Sequence, residues 1–236
     1  MNRIAGKLEA LIGDSISERA LRKSIEIYNQ QRRVMRDFSQ LASLHTDVIT
    51  PTVRQAVFAS ARVLSVEKHI ELVNQLNAEL STLPESCTNK YKVVLTGIMV
   101  DSKPLLCELE KNDIAVVGDL TISESVRYQN DLPLKLDPYD SLAHLWEDVR
   151  GVSVALDPSK SRGNLIKDLV ETRKADAVIA PVIKFCEEEE FDIPVLKQQM
   201  AKYNIPFLAL EISSQDDISG QIATRIQAFC EMINSK

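Results

Sequence analysis

Apolar residues recur with a helical period through the first third of the chain. Ala20, Leu21, Ile25, Tyr28, Val34, Met35 and Phe38 form one stripe among many charged residues, the signature of an amphipathic helix. Ser15-Ile16-Ser17-Glu18 reads as a capping box at its start, with Ser15 as N-cap and Glu18 at N3. The stripe runs to about Leu41. Thr50-Pro51 opens a second helix with proline at its first position, carrying Val53, Val57, Phe58 and Ala61. A third spans about Val66 to Leu80, with Ile70, Val73, Leu76 and Leu80 on one face. No glycine falls between Gly13 and Gly97, which suits a helical region.

Beyond Lys90 the pattern changes. Lys92 to Met99, Asp113 to Asp119, Ala175 to Val182 and Pro206 to Ile212 are short runs, apolar on both faces. Strands of a parallel sheet buried by helices on each side have this character. Helical stretches lie between and after them: Lys103 to Lys111, Tyr139 to Val149, Leu165 to Lys174, Pro194 to Tyr203 and about Gln221 to Ile233. Strands alternating with helices imply βαβ units. The predicted fold class is α/β: a helical region over residues 1–88, then a parallel-sheet, Rossmann/flavodoxin-like three-layer domain over 89–236. The boundary is placed in Pro84 to Lys90. No internal repeat or low-complexity segment interrupts this plan.

Composition narrows the function classes. The chain of 236 residues is 44% hydrophobic and 26% charged, ordinary for a globular protein. Its net charge of −6 and 5% aromatic content argue against nucleic-acid binding, by electrostatics or by base stacking. Apolar runs fall far short of the roughly 20 residues of a membrane span. The N-terminus lacks the apolar core of a signal peptide. A cytoplasmic location is expected. Cys87, Cys107, Cys186 and Cys230 form no C-x-x-C pair, so free thiols are expected rather than disulfides or a self-contained zinc site. Glycine-rich phosphate loops and the nucleophile elbow are missing. His45, His69 and His144 lie far apart in sequence and in different elements.

The candidate chemistry centres on Lys184-Phe185-Cys186, which follows the apolar run Ala177 to Ile183. It places a thiol just past the carboxyl end of a buried strand, where ligand sites of open α/β sheets form. Such a cysteine can be a metal ligand, a nucleophile or a packing residue. A nucleophile needs a nearby base, and no histidine is close in sequence. Cys107 and Cys230 lie in helices and read as packing residues, whereas Cys87 lies in the linker. Glu187 to Glu190 reads as a solvated acidic helix start, where carboxylates suit the N-terminal dipole. Tyr139 and Trp146 read as core or interface residues.

Several motifs occur together in one order: Phe185-Cys186, Asp192-Ile193-Pro194-Val195-Leu196-Lys197, Asn204-Ile205-Pro206-Phe207-Leu208 with Glu211, and Gly220 to Phe229. Upstream stand Thr96-Gly97, Val116-Val117-Gly118-Asp119, Arg127-Tyr128, and Arg162 ahead of Lys174 to Ile179. Ile25-Glu26-Ile27-Tyr28-Asn29 is followed by Arg32-Arg33. This set resembles the 2-hydroxyacyl-CoA dehydratase and benzoyl-CoA reductase family, in its D-component-like subunit, over what would be that subunit's C-terminal two-thirds. The resemblance implies a [4Fe-4S] cluster bound between two α/β domains, with Cys186 as one ligand. It further implies an ATP-dependent activator protein that delivers one low-potential electron. In the dehydratases an (R)-2-hydroxyacyl-CoA forms a ketyl radical and loses water to give the 2-enoyl-CoA. In the reductases related clusters pass electrons to an aromatic thioester. The remaining ligands would come from an N-terminal domain bearing cysteines or from a related subunit. The four glutamates after Cys186 depart from the family's expected continuation and disfavour added negative charge there. Arg162, Gln221, Arg225 and Arg127 are the candidate contacts to the acyl-CoA substrate. A cluster-less binding or assembly module on the same fold is the alternative.

Overall fold

The computed structural model describes residues 2–100, 102–155, 157–212 and 220–234. Four helices come first: α1 (Asn2–Ile12), α2 (Glu18–Leu44), α3 (Pro51–Ser60) and α4 (Val66–Leu80). Strand β1 (Tyr91–Gly97) is followed by α5 (Lys103–Lys111) and β2 (Ile114–Thr121). A 3₁₀ turn (Ser125–Tyr128), α6 (Pro138–Glu147) and α7 (Arg162–Arg173) lead to β3 (Ala177–Ile183). The chain continues through α8 (Glu187–Lys202) and β4 (Phe207–Ile212) to α9 (Gly220–Asn234). No helix among the described residues is long and apolar enough to cross a membrane.

The strands form one parallel sheet in the order β2-β1-β3-β4. Side chains alternate across a strand, and the two faces bury different partners. Val93, Leu95, Val116, Ile179 and Leu210 pack with Leu105 and Leu109 of α5 and with Ile226 and Phe229 of α9. Val94 and Val178 face the other way, onto Ile166 and Val170 of α7 and Leu196 and Met200 of α8. The result is a three-layer α/β arrangement, as the doubly apolar strands require. The chain leaves β1 toward β2, then crosses back to β3 on the other side of β1. Right-handed crossovers put the connecting helices on opposite faces when the direction reverses. The reversal leaves a crevice between the carboxyl ends of β1 and β3.

That crevice has a backbone cause. The β1–β3 pairing covers Val93 to Leu95 opposite Ala177 to Ile179 and goes no further. Continued two residues further, this register sets Gly97 opposite Pro181. The carbonyl of Pro181 points at Gly97, and proline has no N–H to offer β1. Gly97 sits at φ +152°, and a Cβ there would lie 2.9 Å from that carbonyl oxygen. Only glycine permits this approach.

Several local readings shift. The N-cap of α2 is Ser17, not Ser15; its side chain accepts from the Ala20 N–H at 3.2 Å. The N–H of Ser15 is taken by Asp14 and that of Ile16 by Glu9, so the preceding residues tie α1 to α2 instead. Thr50 caps α3 with Pro51 in its first turn, as the sequence indicates. Helix α8 begins seven residues before Pro194, which lies inside it. Long-range ion pairs, described below, hold its first two turns.

Buried Arg54 of α3 joins the helical region to the sheet. Its guanidinium pairs with Asp119 of β2 at 2.5 Å and with Glu124, and it lies 4.6 Å over the Phe58 ring. Asp119 also accepts from Thr121 Oγ1 at 2.8 Å and from the Ser125 N–H at 3.0 Å. Asp119 alone balances the arginine charge, so Glu124 is the surplus carboxylate. Burial pushes its carboxyl up to about 7, against the attraction of Arg54.

Two predictions follow from these contacts. The folded pKa of Glu124 lies above the ordinary carboxylate value. Between about pH 4.5 and 7 the folded state therefore binds more protons than the unfolded, and this residue's contribution falls as pH rises. Urea melts from pH 5 to 8 should show wild type losing about 3 kcal/mol relative to Glu124→Gln across that window. An unchanged pH slope in the variant counts against the assignment. Gly97→Ala should lower stability by about 1–3 kcal/mol through the clash with Pro181, read from the urea midpoint. A neutral result would mean that β1 and β3 part for another reason.

Candidate functional site at the carboxyl edge of the sheet

The loops after β1 and β3 meet in the crevice, and Arg162 holds them together. It lies in the first turn of α7 and is 4% exposed. Its Nε and Nη2 donate to Thr96 Oγ1 of β1 at 3.2 and 3.0 Å. Its Nη1 donates to Glu189 Oε1 at 3.0 Å and Asp192 Oδ2 at 2.8 Å, and its Nη2 to Glu189 Oε2 at 3.3 Å. All five N–H donors of the guanidinium are thus engaged. Ser153 Oγ donates to Glu189 Oε1 at 2.6 Å, and Lys160 approaches Asp192 at 3.6 Å. A buried arginine with two carboxylates is sustained only by this degree of hydrogen bonding. The acidic run is therefore not wholly solvated: Glu189 is buried in the network, while Glu187, Glu188 and Glu190 are exposed.

Cys186 is the N-cap residue of α8, directly above that network. Its N–H donates to the Ile183 carbonyl at 3.1 Å, and its carbonyl accepts from Glu189 and Glu190 at 3.1 and 3.0 Å. Phe185 turns the chain with a left-handed φ of 66°, and its N–H donates to Glu190 Oε1 at 3.1 Å. This turn leaves the Cys186 thiol half-buried, 3.8 Å from Glu188 Oε2. It also leaves Phe185 92% exposed and Phe191 79% exposed nearby on the same helix start. The backbone around the thiol is pinned on both sides.

The other candidates are dispersed. Arg127 lies in the 3₁₀ turn after β2, exposed, 5.9 Å over the Tyr128 ring. Arg225 donates to the Ala209 carbonyl of β4 at 2.7 Å, anchoring α9 to the sheet, and Gln221 is exposed one turn earlier. Of the four arginine and glutamine candidates, Arg162 alone is tied to the helix that carries Cys186. All four cysteines are free thiols. Cys87 is exposed, Cys107 is half-buried in α5, and Cys230 is buried in α9, where desolvation pushes its thiol pKa up. Among the described residues no group of three or more His, Cys, Asp or Glu side chains is arranged to hold a metal. Trp146 is not a core residue: it is 74% exposed. Sequence reasoning names Thr96, Asp119 and Asp192 as motif residues and Glu189 within the acidic run but not their pairing with Arg162 and Arg54, and it misses Arg54 itself. The available signals were polar letters at the ends of apolar strands, Thr96 in β1 and Asp119 in β2.

Comparison with known proteins identifies the family. The profile of the family described as 2-hydroxyglutaryl-CoA dehydratase, D-component, matches residues 1–233. The chain is 39% identical to an (R)-phenyllactyl-CoA dehydratase beta subunit of Clostridium sporogenes, over 96% of this chain and 60% of that protein. It is 35% identical to a lactoyl-CoA dehydratase subunit beta of Anaerotignum propionicum, over 98% of this chain and 62% of that protein. A (R)-2-hydroxyglutaryl-CoA dehydratase subunit beta of Acidaminococcus fermentans is 28% identical, over 98% and 62%. The match thus takes in nearly all of this chain, which spans about three-fifths of the length of these relatives. By its sequence over residues 1–233, the chain belongs to the 2-hydroxyglutaryl-CoA dehydratase D-component family.

Proposed function

We propose that this chain forms part of a subunit of a 2-hydroxyacyl-CoA dehydratase-type iron–sulfur enzyme, which converts an (R)-2-hydroxyacyl-CoA into the 2-enoyl-CoA and water. The observation that carries the reading is the placement of Cys186, a half-buried thiol on a pinned backbone at the β1–β3 switch point. A half-buried cysteine on a strand-to-helix turn suits one ligand position of a [4Fe-4S] cluster. A single thiol fits one ligand and not a whole site, so the reading requires further cysteines from a related subunit or from additional polypeptide of this subunit. Phe185 and Phe191, both largely exposed beside the thiol, are the apolar contacts such a neighbour would cover. The names of the relatives as beta subunits support a related partner subunit.

When bound, the cluster supplies one-electron transfer, fed in this reading by an ATP-dependent activator protein. The residues of this chain position and insulate. The Arg162 network fixes the first two turns of α8 and hence the Cys186 carbonyl and N–H. The exposed carboxylates of Glu187 and Glu188 disfavour additional negative charge nearby, which lowers the reduction potential of a bound cluster.

The test is anaerobic reconstitution with iron and sulfide of the assembly of this chain with its companion subunit, followed by absorbance and EPR spectra. Wild type should bind a cluster near stoichiometrically, and Cys186→Ala should lose it while circular dichroism stays unchanged. An identical cluster signal in the folded variant, or none in either assembly, would overturn the ligand assignment. In the second case a binding or assembly role on the same fold becomes the reading to pursue.

A further inference from the structure

The segment Gly151 to Ala155, between α6 and α7, touches two regions of the molecule at once. Val152, Val154 and Ala155 line a cavity of about 600 Å³, whose other walls include Val126 of the 3₁₀ turn, Leu145 of α6 and Val149 just beyond it. Ser153 lies on the other side of the segment, and its Oγ donates to Glu189 Oε1 of α8 at 2.6 Å. Between the segment and α8 there remains a gap of only about 20 Å³, bordered by Val152, Ser153, Asp192 and Leu196. That is room for a single water.

The segment is therefore a thin wall, with open volume on one side and a packed helix on the other. Its entry is fixed: Gly151 has a left-handed φ of +81°, and a Cβ there would lie 2.5 Å from Leu120 Cδ2. Its turn is closed by the Ala155 N–H, which donates to the Val152 carbonyl at 3.2 Å. Among the described residues, the Ser153 hydroxyl makes the one hydrogen bond that ties it to α8. The far end of that bond is buried. Glu189 is 1% exposed, and its Oε1 is shared between Ser153 and Arg162. The N–H groups of Glu189 and Glu190 donate to the Cys186 carbonyl and close the turn that carries the thiol. A wall backed by empty volume recedes at the cost of a few contacts. A wall backed by packed atoms holds its place.

We propose that Ser153 is a positioning residue for Cys186, and that through it the filling of the cavity sets how tightly the Cys186 turn is held. With the cavity empty, Val152 and Val154 recede and Ser153 parts from Glu189 in a fraction of the molecules. With the cavity filled, Ser153 stays on Glu189 and the turn stays closed. Cys186 takes its importance from the cluster reading, on which this role rests, but the coupling is a property of the chain and needs no iron.

The test uses the full chain free of iron. Hydrogen exchange of the Glu189 and Glu190 amides reads the opening of the turn. Alkylation of Cys186 by iodoacetamide, resolved by peptide mass spectrometry, reads its consequence, with buried Cys230 as internal control. Ser153→Ala should speed both at least about tenfold, the worth of a hydrogen bond to a charged group, with the Cys230 rate and the melting curve unchanged. Ser153→Thr, which keeps the hydroxyl, should restore the wild-type rates. Val149→Phe, which fills the cavity from another wall, should slow both at least about threefold and change neither in the Ser153→Ala background. Leu145→Phe fills the same space and takes its place if Val149→Phe melts below wild type. Wild-type rates in Ser153→Ala overturn the positioning role. Slowing that persists without the hydroxyl, or no slowing in either filling variant, overturns the coupling. The cluster assignment is read separately: a chain that shows the coupling and binds no cluster refutes that assignment alone.

Discussion

The buried guanidinium of Arg162 is the constraint on which the carboxyl edge of the sheet depends. Removing a charge from water costs several kcal/mol, and this one is accepted because every N–H has a partner. Those partners come from β1, from α8 twice and, through Ser153, from the loop before α7. One side chain therefore sets three segments relative to each other. The crevice between β1 and β3 exists because Gly97 and Pro181 end the ladder. Its dimensions are held because Arg162 spans it from below. Cys186 inherits its position from both.

The same device appears a second time. Arg54 reaches from α3 to Asp119 and Glu124 at the end of β2 and fixes the helical region against the sheet. Tyr128, from the 3₁₀ turn, packs into the helical core with Phe38 and Phe58 and extends that junction. Each network sets one arginine against two carboxylates, but they differ in how much support those carboxylates receive. Glu189 and Asp192 have further donors in Ser153 and Lys160. Glu124 accepts from Arg54, and burial pushes its carboxyl up to about 7 against that attraction. The two arginines thus divide the work: one orders the candidate site, the other attaches the helices that flank it.

Much of this architecture is legible in the residue pattern. Strands β1 to β3 are buried on both faces, as their apolar runs indicate, whereas edge strand β4 alternates and exposes Glu211; the observed ends of all four fall within about two residues of the expected ones. Helix α5 has the expected bounds because Ser102, Pro104 and Asn112 mark it locally. The start of α8 is legible in the acidic run Glu187 to Glu190, which suits a helix N-terminus, whereas Pro194 mimics a first-turn proline and lies inside the helix; the ion pairs that hold this start reach a residue 27 positions away. Such pairings have no local signature. Arg162 illustrates the limit: its sequence neighbourhood suits a ligand contact, whereas its folded neighbourhood consumes its donors. The thiol is the reverse case, visible as a strand-end residue and found as one.

In the proposed reading Cys186, on its strand-to-helix turn, is one ligand of a cluster completed from outside the described residues. The most direct measurement is a crystal structure of the anaerobically purified assembly, with anomalous diffraction at the iron edge to place the metal. The account predicts an iron atom within bonding distance of the Cys186 sulfur, with Phe185 covered by the neighbouring polypeptide. Iron located away from Cys186, with its sulfur unbonded, would contradict it.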